Sequence, residues 1–389
     1  MRIRFVTPWY GEFAGGAEFA ARKLAENLLK AGVDAGVLTT CAKTPFENWW
    51  TDFYSPGEYD LNGVKVLRFP LNKGGAVLYN RVLEKTIAGV PLTREDELDS
   101  MRGGINSHAL ISYIKKHRDL TCVYMPYLYG PTFWGVNAAP ERSVMIPCLH
   151  DEAEARWVTI KDTFLKAKKV IFLSEEEKAL AGRLYGKTMD GMPSPGMGVN
   201  TKITFNESRF REKYRIDGQF LVYAGRKVNG KNIELLIEYF ETYLKFYNRH
   251  MKLVFIGGGD ASLVPKDDAR FVDLSFIPEQ DKFDALSASV ALCNLSINES
   301  FSFVIMESWL TGRPVIVSSK GIVTAGHCVK SGGGFAVSDA EEFCVRVHHL
   351  SRQAGEAGEM GSSGREYVLD NYSWDKVVRR YMEIFENIR

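Results

Sequence analysis

The feature that most restricts the fold of this chain is an opening that occurs twice: an apolar segment, a glycine-rich loop and an amphipathic helix. At the amino terminus, Arg2–Thr7 is followed by Gly15 and Gly16 and then by apolar residues at helical spacing. At mid-chain, an apolar segment at 219–224 leads through a second glycine-containing loop into a helix predicted over 233–247. Each opening is typical of the start of a doubly wound parallel sheet. The sequence therefore predicts an α/β protein with two Rossmann-like domains.

The length of the chain and its Pro/Gly-rich segment agree with two domains. A chain of 389 residues exceeds what one hydrophobic core usually supports, and its densest Pro/Gly run lies at 192–200. We predict a first domain over 1–195, a second over 196–370, and a final helix over 371–389 that packs across the junction. The irregular, aromatic-rich stretch from 43 to 104 indicates either surface loops with a helical excursion or part of an acceptor-binding site.

Charge and composition exclude several classes of protein. The 49 basic residues balance 48 acidic ones, so nucleic acid is not an expected partner. No stretch approaches the ~18 apolar residues of a membrane-spanning helix, and the first residues lack the pattern of a signal peptide. The six cysteines are scattered without a C-x-x-C pair, which favours buried thiols in a reducing compartment. The expected location is the cytoplasm.

The sharpest motif places two glutamates, Glu299 and Glu307, around a predicted helix start. A strand predicted over 290–295 puts this loop at the carboxyl edge of the sheet, where open α/β sheets bind ligands. The helix is predicted from about 302 to 312, and its free amides form a candidate phosphate site. Those amides belong to Phe301, Ser302 and Phe303. The two carboxylates suit hydroxyl groups; the alternative is that both merely favour the positive end of the helix dipole or face solvent.

The second constellation is a pair of cations, Arg226 and Lys231, in the loop of the mid-chain opening. A lysine at a helix start opposes the helix dipole unless an anion compensates its charge. Together the two side chains can neutralise a diphosphate group as it leaves a substrate. The sequence has no Asp-x-Asp loop that would hold a divalent ion, so the pair predicts a metal-independent site. The alternative is two solvated surface charges.

The first domain offers weaker candidates. Gly15 and Gly16 can admit a phosphate or a sugar against bare backbone, although their spacing is not a dinucleotide fingerprint and a simple turn is the alternative. His150 follows the apolar segment 143–146 and precedes two acids; its alternative is a satisfied surface histidine. Five aromatic residues after another strand suit sugar rings, with core packing as the alternative. They are Tyr124, Tyr127, Tyr129, Phe133 and Trp134.

These motifs together resemble the retaining GT-B glycosyltransferases of family 4. Glu299 and Glu307, with seven residues between them, are similar to the E-x7-E motif of that family. The resemblance extends along nearly the whole chain. Further similar segments lie at 15–16, 195–199, 224–226, 257–259, 312–315 and 372–374. Three positions depart from the family pattern: Ser302 stands where glycine is usual, and Ser308 and Trp309 replace small residues.

The resemblance implies a role for each candidate residue. Glu299 is expected to contact the hydroxyls of the donor sugar, and Glu307 the ribose of the nucleotide. Arg226 and Lys231 are expected to grip the donor diphosphate, and His150 to touch the donor sugar. The implied fold is GT-B: two Rossmann-like domains with a cleft between them and a C-terminal helix that crosses back to the first domain. No cofactor and no metal are expected.

The implied reaction passes a sugar from a nucleoside-diphosphate sugar to an acceptor hydroxyl with retention at the anomeric carbon. The sequence offers no convincing covalent nucleophile, so positioning and charge stabilisation carry the catalysis. The resemblance associates the chain with polysaccharide or glycoconjugate synthesis on a sugar or lipid-linked acceptor, with peripheral contact at the inner membrane face left open. Two alternatives remain: a GT-B-fold nucleotide-sugar epimerase and a catalytically silent sugar-nucleotide-binding subunit.

Overall fold

The computed structural model describes residues 1–11 and 15–388, and the chain divides into two compact units. Unit 1 is Met1–Gly198 together with Asp375–Arg389, and unit 2 is Val199–Trp374. Most of the last helix therefore belongs to unit 1. The Tyr381 hydroxyl in this helix is buried and donates to the Gly196 carbonyl at 3.2 Å. No helix in the described residues is both long and apolar enough to span a bilayer.

Unit 1 is built on a seven-stranded sheet. Its strands are β1 (Arg2–Thr7), β2 (Asp34–Thr40), β3 (Gly57–Leu61), β4 (Val64–Phe69), β5 (Leu120–Tyr124), β6 (Ser143–Met145) and β7 (Lys169–Val170). They lie side by side in the order β3-β4-β2-β1-β5-β6-β7, and only β3 is antiparallel to its neighbour. The helices of this unit are α1 (Gly16–Lys30), α2 (Ala76–Ile87), α3 (Arg94–Gly103), α4 (His108–Lys116), α5 (Gly130–Ala138), α6 (Val158–Lys166) and α7 (Glu175–Tyr185).

The hairpin of β3 and β4 corrects the sequence interpretation of the stretch 43–104 as loops with a helical excursion. The two strands extend the sheet, and α2 and α3 follow them. Asn62 and Gly63 form the turn, and both have positive φ angles, 56° and 82°. An Asn-Gly pair is the commonest sequence of a two-residue hairpin turn, because both residues tolerate positive φ. This dipeptide was the local signal that would have revealed the hairpin.

Unit 2 contains a second, wholly parallel sheet. Its strands are β8 (Phe220–Ala224), β9 (Lys252–Ile256), β10 (Phe271–Asp273), β11 (Leu292–Asn294), β12 (Val315–Ser318) and β13 (Gly334–Val337). Their lateral order is β10-β9-β8-β11-β12-β13. The helices are α8 (Glu207–Tyr214), α9 (Ile233–Phe246), α10 (Glu279–Ala288), α11 (Phe303–Leu310), α12 (Ile322–Ser331), α13 (Ala340–Arg352) and α14 (Ala354–Asn371); α15 (Trp374–Glu386) ends the chain. Short 3-10 turns lie at Pro140–Arg142, Glu154–Arg156, Lys187–Met189, Asn229–Lys231 and Ala261–Leu263.

Among the parallel strands the order reverses once in each sheet, and open α/β sheets commonly bind ligands at such a reversal. In unit 1 it lies between β1 and β5, and in unit 2 between β8 and β11, where Leu292 is opposite Val222. Loops leaving such a pair of strands diverge to opposite faces and open a crevice at the carboxyl edge. The central strands are buried on both faces, which explains why apolar runs such as 220–223 predicted them well.

Trp309 shows how unit 2 accommodates a departure from the family pattern. The ring is fully buried, and its Nε1 donates to the Gly333 carbonyl at 2.7 Å. A Cβ atom at Gly364 would lie 2.3 Å from Trp309 Cδ1, and one at Gly333 would lie 2.4 Å from Nε1. The indole therefore occupies space that exists because these two residues have no side chain.

We expect Gly364→Ala to lower the free energy of unfolding by about 1–3 kcal/mol, because the new methyl group overlaps the Trp309 ring. Gly358 provides the matched control, since it lies on the same helix α14 and a Cβ there meets nothing within 4 Å. Gly358→Ala should raise the stability by about 0.5–1 kcal/mol through its helix propensity. Urea denaturation of the two variants measures both effects; equal stabilities would contradict this account of the Trp309 packing.

Candidate functional site

An ion pair stands at the carboxyl edge between β8 and β11. Lys231 Nζ donates to Glu299 Oε1 at 2.7 Å, and the two side chains are 25% and 15% exposed. Lys231 precedes α9, while Glu299 lies in the loop between β11 and α11. The structure thus brings together two residues that the sequence assigned to separate constellations. Because the pair is shielded but open to solvent on one side, a ligand anion can compete for the lysine.

A second ion pair holds the other glutamate of the motif. Glu307 Oε1 accepts from Lys282 Nζ at 2.7 Å, with side-chain exposures of 16% and 22%. Glu307 lies inside α11, and Lys282 lies on the adjacent helix α10. The sequence analysis missed Lys282, because nothing in its spacing links it to a glutamate on another helix.

Tyr223 connects the cation loop with Glu299. Its hydroxyl donates to the Arg226 carbonyl at 2.8 Å. Burial, and then the negative charge of Glu299, raise the pKa of Tyr223, while the Arg226 guanidinium opposes this shift. Both charged residues are therefore close enough to Tyr223 to act on it electrostatically. Arg226, Lys231 and Glu299 lie in one neighbourhood of unit 2.

The glycine run 257–259 supports the loop that carries Arg226. The amide of Gly225 donates to the Ile256 carbonyl at 2.9 Å, and the amide of Lys227 to the Gly258 carbonyl at 2.8 Å. Gly257 has a φ of 124°, and a Cβ on it would lie 2.2 Å from the Gly225 carbonyl oxygen. Backbone therefore packs directly on backbone here, which only glycine allows.

Lys227 is a buried cation in the same loop, and sequence reasoning missed its role. It is 1% exposed, and its Nζ bonds to the Gly257 carbonyl and to Asp273 Oδ1, the latter at 3.1 Å. A buried ammonium group needs such partners to offset its desolvation. Lys227 therefore braces the loop, while Arg226 and Lys231 remain the candidates for ligand contact.

Ser302 precedes α11 in a left-handed conformation, with φ 65° and ψ 80°. This backbone geometry explains why glycine is usual at this position, since a Cβ is disfavoured there. The hydroxyl accepts a hydrogen bond from Asn294 Nδ2 at 3.2 Å and, within the described residues, does not cap the helix. The Phe301 ring is buried against Tyr372 and His327. It is therefore the backbone of Phe301, and not its ring, that lies beside the start of α11.

The remaining predicted residues lie in unit 1. Gly15 is the extended N-cap of α1, and a Cβ on Gly16 would meet nothing within 4 Å. Residues 12–14 of that loop lie outside the described residues. His150 follows β6, and its Nδ1 is 4.0 Å from Glu152 Oε1. The sheet places the Gly15 and His150 loops at one carboxyl edge, because β1 and β6 both flank β5.

The five aromatic candidates of unit 1 divide between the core and its margin. Tyr124, Tyr127 and Phe133 are buried in the core, as the alternative interpretation held. Trp134 is partly buried and donates from Nε1 to the Met101 carbonyl at 3.0 Å. Tyr129 stands against the ring of Trp9 at 4.8 Å and lines an adjacent pocket.

Glu177 binds the backbone next to His150. It is fully buried on α7, and its two oxygens accept from the amides of Leu149 at 2.6 Å and Leu173 at 2.5 Å. Burial raises the pKa of Glu177 to about 8, and these amide hydrogen bonds oppose the rise. The carboxyl group therefore ties the segment before His150 to the end of β7. The sequence did not reveal this role, because Glu177 resembles an ordinary first-turn helix acid.

Metal ligands do not converge in the part of the chain that the structure describes. Over residues 1–11 and 15–388, no group of three or more His, Cys, Asp or Glu side chains is arranged to hold an ion. All six cysteines are buried and unpaired by disulfides. Metal independence stays a prediction.

Most of unit 2 is similar to a known family of proteins. Residues 218–353 match the family model described as Glycosyl transferases group 1. These residues, called the group 1 domain below, are similar to that family over about a third of the chain. The domain contains Arg226, Lys231, Glu299 and Glu307, together with all six strands of the unit 2 sheet.

Two curated relatives align with parts of the chain. A trehalose synthase of Pyrococcus horikoshii is 31% identical over 101 residues, which is 26% of this chain and 24% of that protein. A lipopolysaccharide 1,2-N-acetylglucosaminetransferase of Salmonella typhimurium is 25% identical over 189 residues, or 44% of this chain and 49% of that protein. The chain thus spans about a quarter to a half of the length of these relatives.

A solved structure extends the similarity to the whole chain. The HepE protein of Anabaena, in complex with UDP and glucose, superimposes with a TM-score of 0.72 at 14% identity and covers 99% of both chains. This level of identity establishes the fold alone. The fold is GT-B, as the resemblance to family 4 implied.

The left-handed geometry of Ser302 in the group 1 domain leads to a stability prediction. Ser302→Gly and Ser302→Ala both remove the hydrogen bond to Asn294, but only alanine keeps a Cβ at positive φ. We therefore expect the glycine variant to be more stable than the alanine variant by about 1 kcal/mol. Urea denaturation of the two variants measures the difference. An alanine variant as stable as the glycine variant would show that the backbone at Ser302 is not strained.

Proposed function

We propose that this protein is a glycosyltransferase that moves a sugar from a nucleoside-diphosphate sugar to an acceptor hydroxyl, with retention at the anomeric carbon. The observation that carries the proposal is the Lys231–Glu299 ion pair at the carboxyl edge of the group 1 domain. HepE has the same fold and was solved with UDP and glucose, which supports a nucleoside-diphosphate sugar as the donor. The proposed setting is polysaccharide or glycoconjugate synthesis in the cytoplasm, on a sugar or lipid-linked acceptor.

The ion pair suggests how donor binding prepares the site. Without a ligand, Glu299 neutralises Lys231. A diphosphate carries more negative charge than one carboxylate, so it can draw the lysine onto its own oxygens and bind Arg226 as well. Glu299 is then free to accept hydrogen bonds from sugar hydroxyls. One exchange thus places a cation on the leaving group and a carboxylate on the sugar.

The same groups act on the chemical step. As the bond between sugar and diphosphate breaks, negative charge develops on the diphosphate, and Arg226 and Lys231 stabilise it. The leaving phosphate accepts the proton of the acceptor hydroxyl, so the protein needs no covalent nucleophile. Each charge-assisted hydrogen bond is worth about 1.5–3 kcal/mol. The amides at Phe301, Ser302 and Phe303 add fixed dipoles on the phosphates.

Glu307 serves the nucleotide in this proposal. Lys282 holds one of its oxygens, which orients the carboxylate and leaves its other oxygen for a ribose hydroxyl. In unit 1, His150 would contact the donor sugar, and the open backbone at Gly15 and Gly16 would admit a phosphate or sugar group. Glu177 would act on His150 only through the backbone that it holds.

Incubation of the protein with labelled donors, with and without candidate acceptors, tests the function. Transfer of label to an acceptor supports the proposal. Conversion of the donor to an epimer without an acceptor would identify a nucleotide-sugar epimerase instead. Donor binding without any turnover would identify a catalytically silent subunit.

The roles of the charged residues make distinct predictions for binding. Glu299→Gln should reduce turnover at least tenfold while leaving bare nucleoside-diphosphate affinity unchanged or higher, because Lys231 is released from its partner. Glu307→Gln should weaken the donor and the bare nucleotide by the same factor, about tenfold, since both carry the ribose. Lys231→Met should weaken both by about tenfold or more. Calorimetry with donor and nucleoside diphosphate, alongside rates, separates the three variants.

The opposite pattern would reassign the residues. If Glu299→Gln weakens the bare nucleotide and Glu307→Gln does not, the sugar and ribose roles are exchanged. If none of the three variants changes rate or affinity, the ion pairs are structural and the donor site lies elsewhere.

Metal independence has a direct test as well. Since two cations face the proposed diphosphate site, activity in excess EDTA should stay near its untreated value. Rates measured before and after chelation check this. Loss of activity that magnesium or manganese restores would require a metal in the mechanism.

A further inference from the structure

A hydrogen-bonded network of three residues in unit 2 has no part in the proposed donor contacts. His327 Nδ1 lies 2.9 Å from the Tyr367 hydroxyl, which in turn lies 3.0 Å from the Tyr372 hydroxyl. His327 is on α12, Tyr367 is on α14, and Tyr372 directly follows α14. The Tyr372 carbonyl also accepts from the Val199 amide at 2.8 Å, which fixes this end of the network. We call His327, Tyr367 and Tyr372 the His–Tyr network.

His327 occupies a place where an apolar side chain would cost less free energy. It is fully buried, and burial, followed by the positive charge of Lys330, lowers the pKa of its imidazole to about 3. The ring is therefore neutral at physiological pH. In the part of the chain that the structure describes, its Nε2 has no hydrogen-bond partner. A leucine would leave no nitrogen unpaired, so the imidazole has an energetic cost that its bond to Tyr367 partly offsets.

The network surrounds the ring of Phe301. The centroid of this ring lies 5.7 Å from that of His327 and 5.1 Å from that of Tyr372, at interplanar angles of 83° and 84°. The His327 and Tyr372 rings are themselves 5.8 Å apart at 88°. Edge-to-face contacts of this kind are a favoured geometry of aromatic pairs. Phe301 is buried, so its ring is held by two rings that the Tyr367 hydroxyl connects.

Phe301 lies in the loop that carries Glu299. Only Ser300 separates it from Glu299, and Ser302 on its other side has the left-handed conformation. A residue other than glycine persists in this conformation where the surrounding structure fixes it. Displacement of the Phe301 ring would therefore change the course of the backbone on both sides. Because a reacting group must be held within about 0.5 Å of its productive position, the anchor at Phe301 affects Glu299.

We propose that the His–Tyr network positions Glu299 for catalysis by anchoring the ring of Phe301. The role of Glu299 in turnover rests on the proposed function, whereas the anchoring of the loop does not. The network acts only through Phe301 and the backbone of residues 299–302. Its loss should lower the rate of sugar transfer more than the affinity for the bare nucleoside diphosphate, because Arg226 and Lys231 hold the diphosphate from another loop.

Tyr367→Phe tests the network directly, because it keeps the ring and removes the hydroxyl that bonds to both His327 and Tyr372. Turnover of the donor identified by the labelled-donor incubation should fall about tenfold or more. Calorimetry with the nucleoside diphosphate of that donor should show a loss of affinity below about threefold. Tyr243→Phe is the matched control. It removes another buried tyrosine hydroxyl of unit 2, and it should change the rate less than about twofold.

Hydrogen exchange follows the loop without any ligand. The backbone amides of residues 296–303 should exchange about tenfold faster in Tyr367→Phe than in the unsubstituted protein. In Tyr243→Phe they should exchange at the unsubstituted rate. An unchanged exchange rate in Tyr367→Phe would show that the network does not anchor this loop, and would overturn the proposal.

Phe301→Leu supplies a second variant that removes the ring and keeps the amide. It should lower turnover to a similar extent as Tyr367→Phe. In the double variant, Tyr367→Phe should lower the rate less than about twofold further, because the anchored ring is already absent. Circular dichroism verifies that each variant is folded. Losses that multiply in the double variant would show that the network acts by a route other than Phe301, and would overturn the proposal.

The rates also separate this proposal from the proposed function. If the unsubstituted protein transfers sugar and Tyr367→Phe transfers it equally fast, the transferase proposal stands and the network is only structural. An equal loss of turnover and of nucleoside-diphosphate affinity would place the effect on the phosphates instead of Glu299, and would also overturn the assignment. If no donor is turned over but Tyr367→Phe speeds exchange at 296–303, the transferase proposal and the catalytic role of Glu299 fail while the anchor stands.

Discussion

The parallel pairing of β8 with β11 brings Lys231 and Glu299 to one edge of the unit 2 sheet. Leu292 lies opposite Val222, so two segments far apart in sequence end side by side at one edge of the sheet. The loops that leave them then carry Lys231 and Glu299 to a separation of 2.7 Å. The helix α11 connects β11 with its neighbour β12, so α11 begins at the same edge of the sheet. Without this strand order, the cations and the acids would be unrelated surface charges.

The site of the group 1 domain is electrically compensated before any ligand binds. Glu299 and Glu307 each form an ion pair with a lysine, and the four side chains are 15–25% exposed. Pairs at this depth avoid the large desolvation penalty of deeply buried ions, yet they are less screened than ions in bulk water. Lys227 represents the opposite case. It is buried, and it bonds to Asp273 and to the Gly257 carbonyl, so it stabilises the loop. Burial thus separates Lys227 from Lys231 and Lys282, whose side chains stay partly exposed.

Two acids of unit 1 illustrate the same distinction. Glu177 accepts two backbone amides, so its carboxyl group is satisfied by the fold and holds the chain beside His150. Glu154 accepts a hydrogen bond from its own backbone amide and lines the same pocket as the apolar side chains of Val82 and Leu83. Burial raises the pKa of both groups, but Glu177 is fully buried whereas Glu154 is partly exposed. The hydrogen-bond partners and the exposure of the two carboxyl groups therefore differ more than the direction of their pKa shifts.

Local patterns in the sequence were enough to predict the two-sheet fold. Apolar runs placed the central strands, and the spacing of Glu299 and Glu307 indicated a ligand-binding edge. The hairpin at Asn62 and Gly63 was also readable, because positive φ favours that dipeptide, although the aromatic-rich surroundings concealed it. The strand β11, Leu292–Asn294, is shorter than the predicted 290–295, although Val290 and Ala291 still form backbone hydrogen bonds with β8.

Only the tertiary structure decided the contacts between residues that no local pattern connects. Lys282 meets Glu307 because α10 packs beside α11, and Trp309 fits because Gly333 and Gly364 leave space around its ring. The sequence by itself determined which segments become strands and helices, since that depends on periodicity and local backbone preference. Which lysine neutralises which glutamate depends on how those elements pack. The energy of an ion pair depends on the distance between the two charges in space, whatever their separation along the chain.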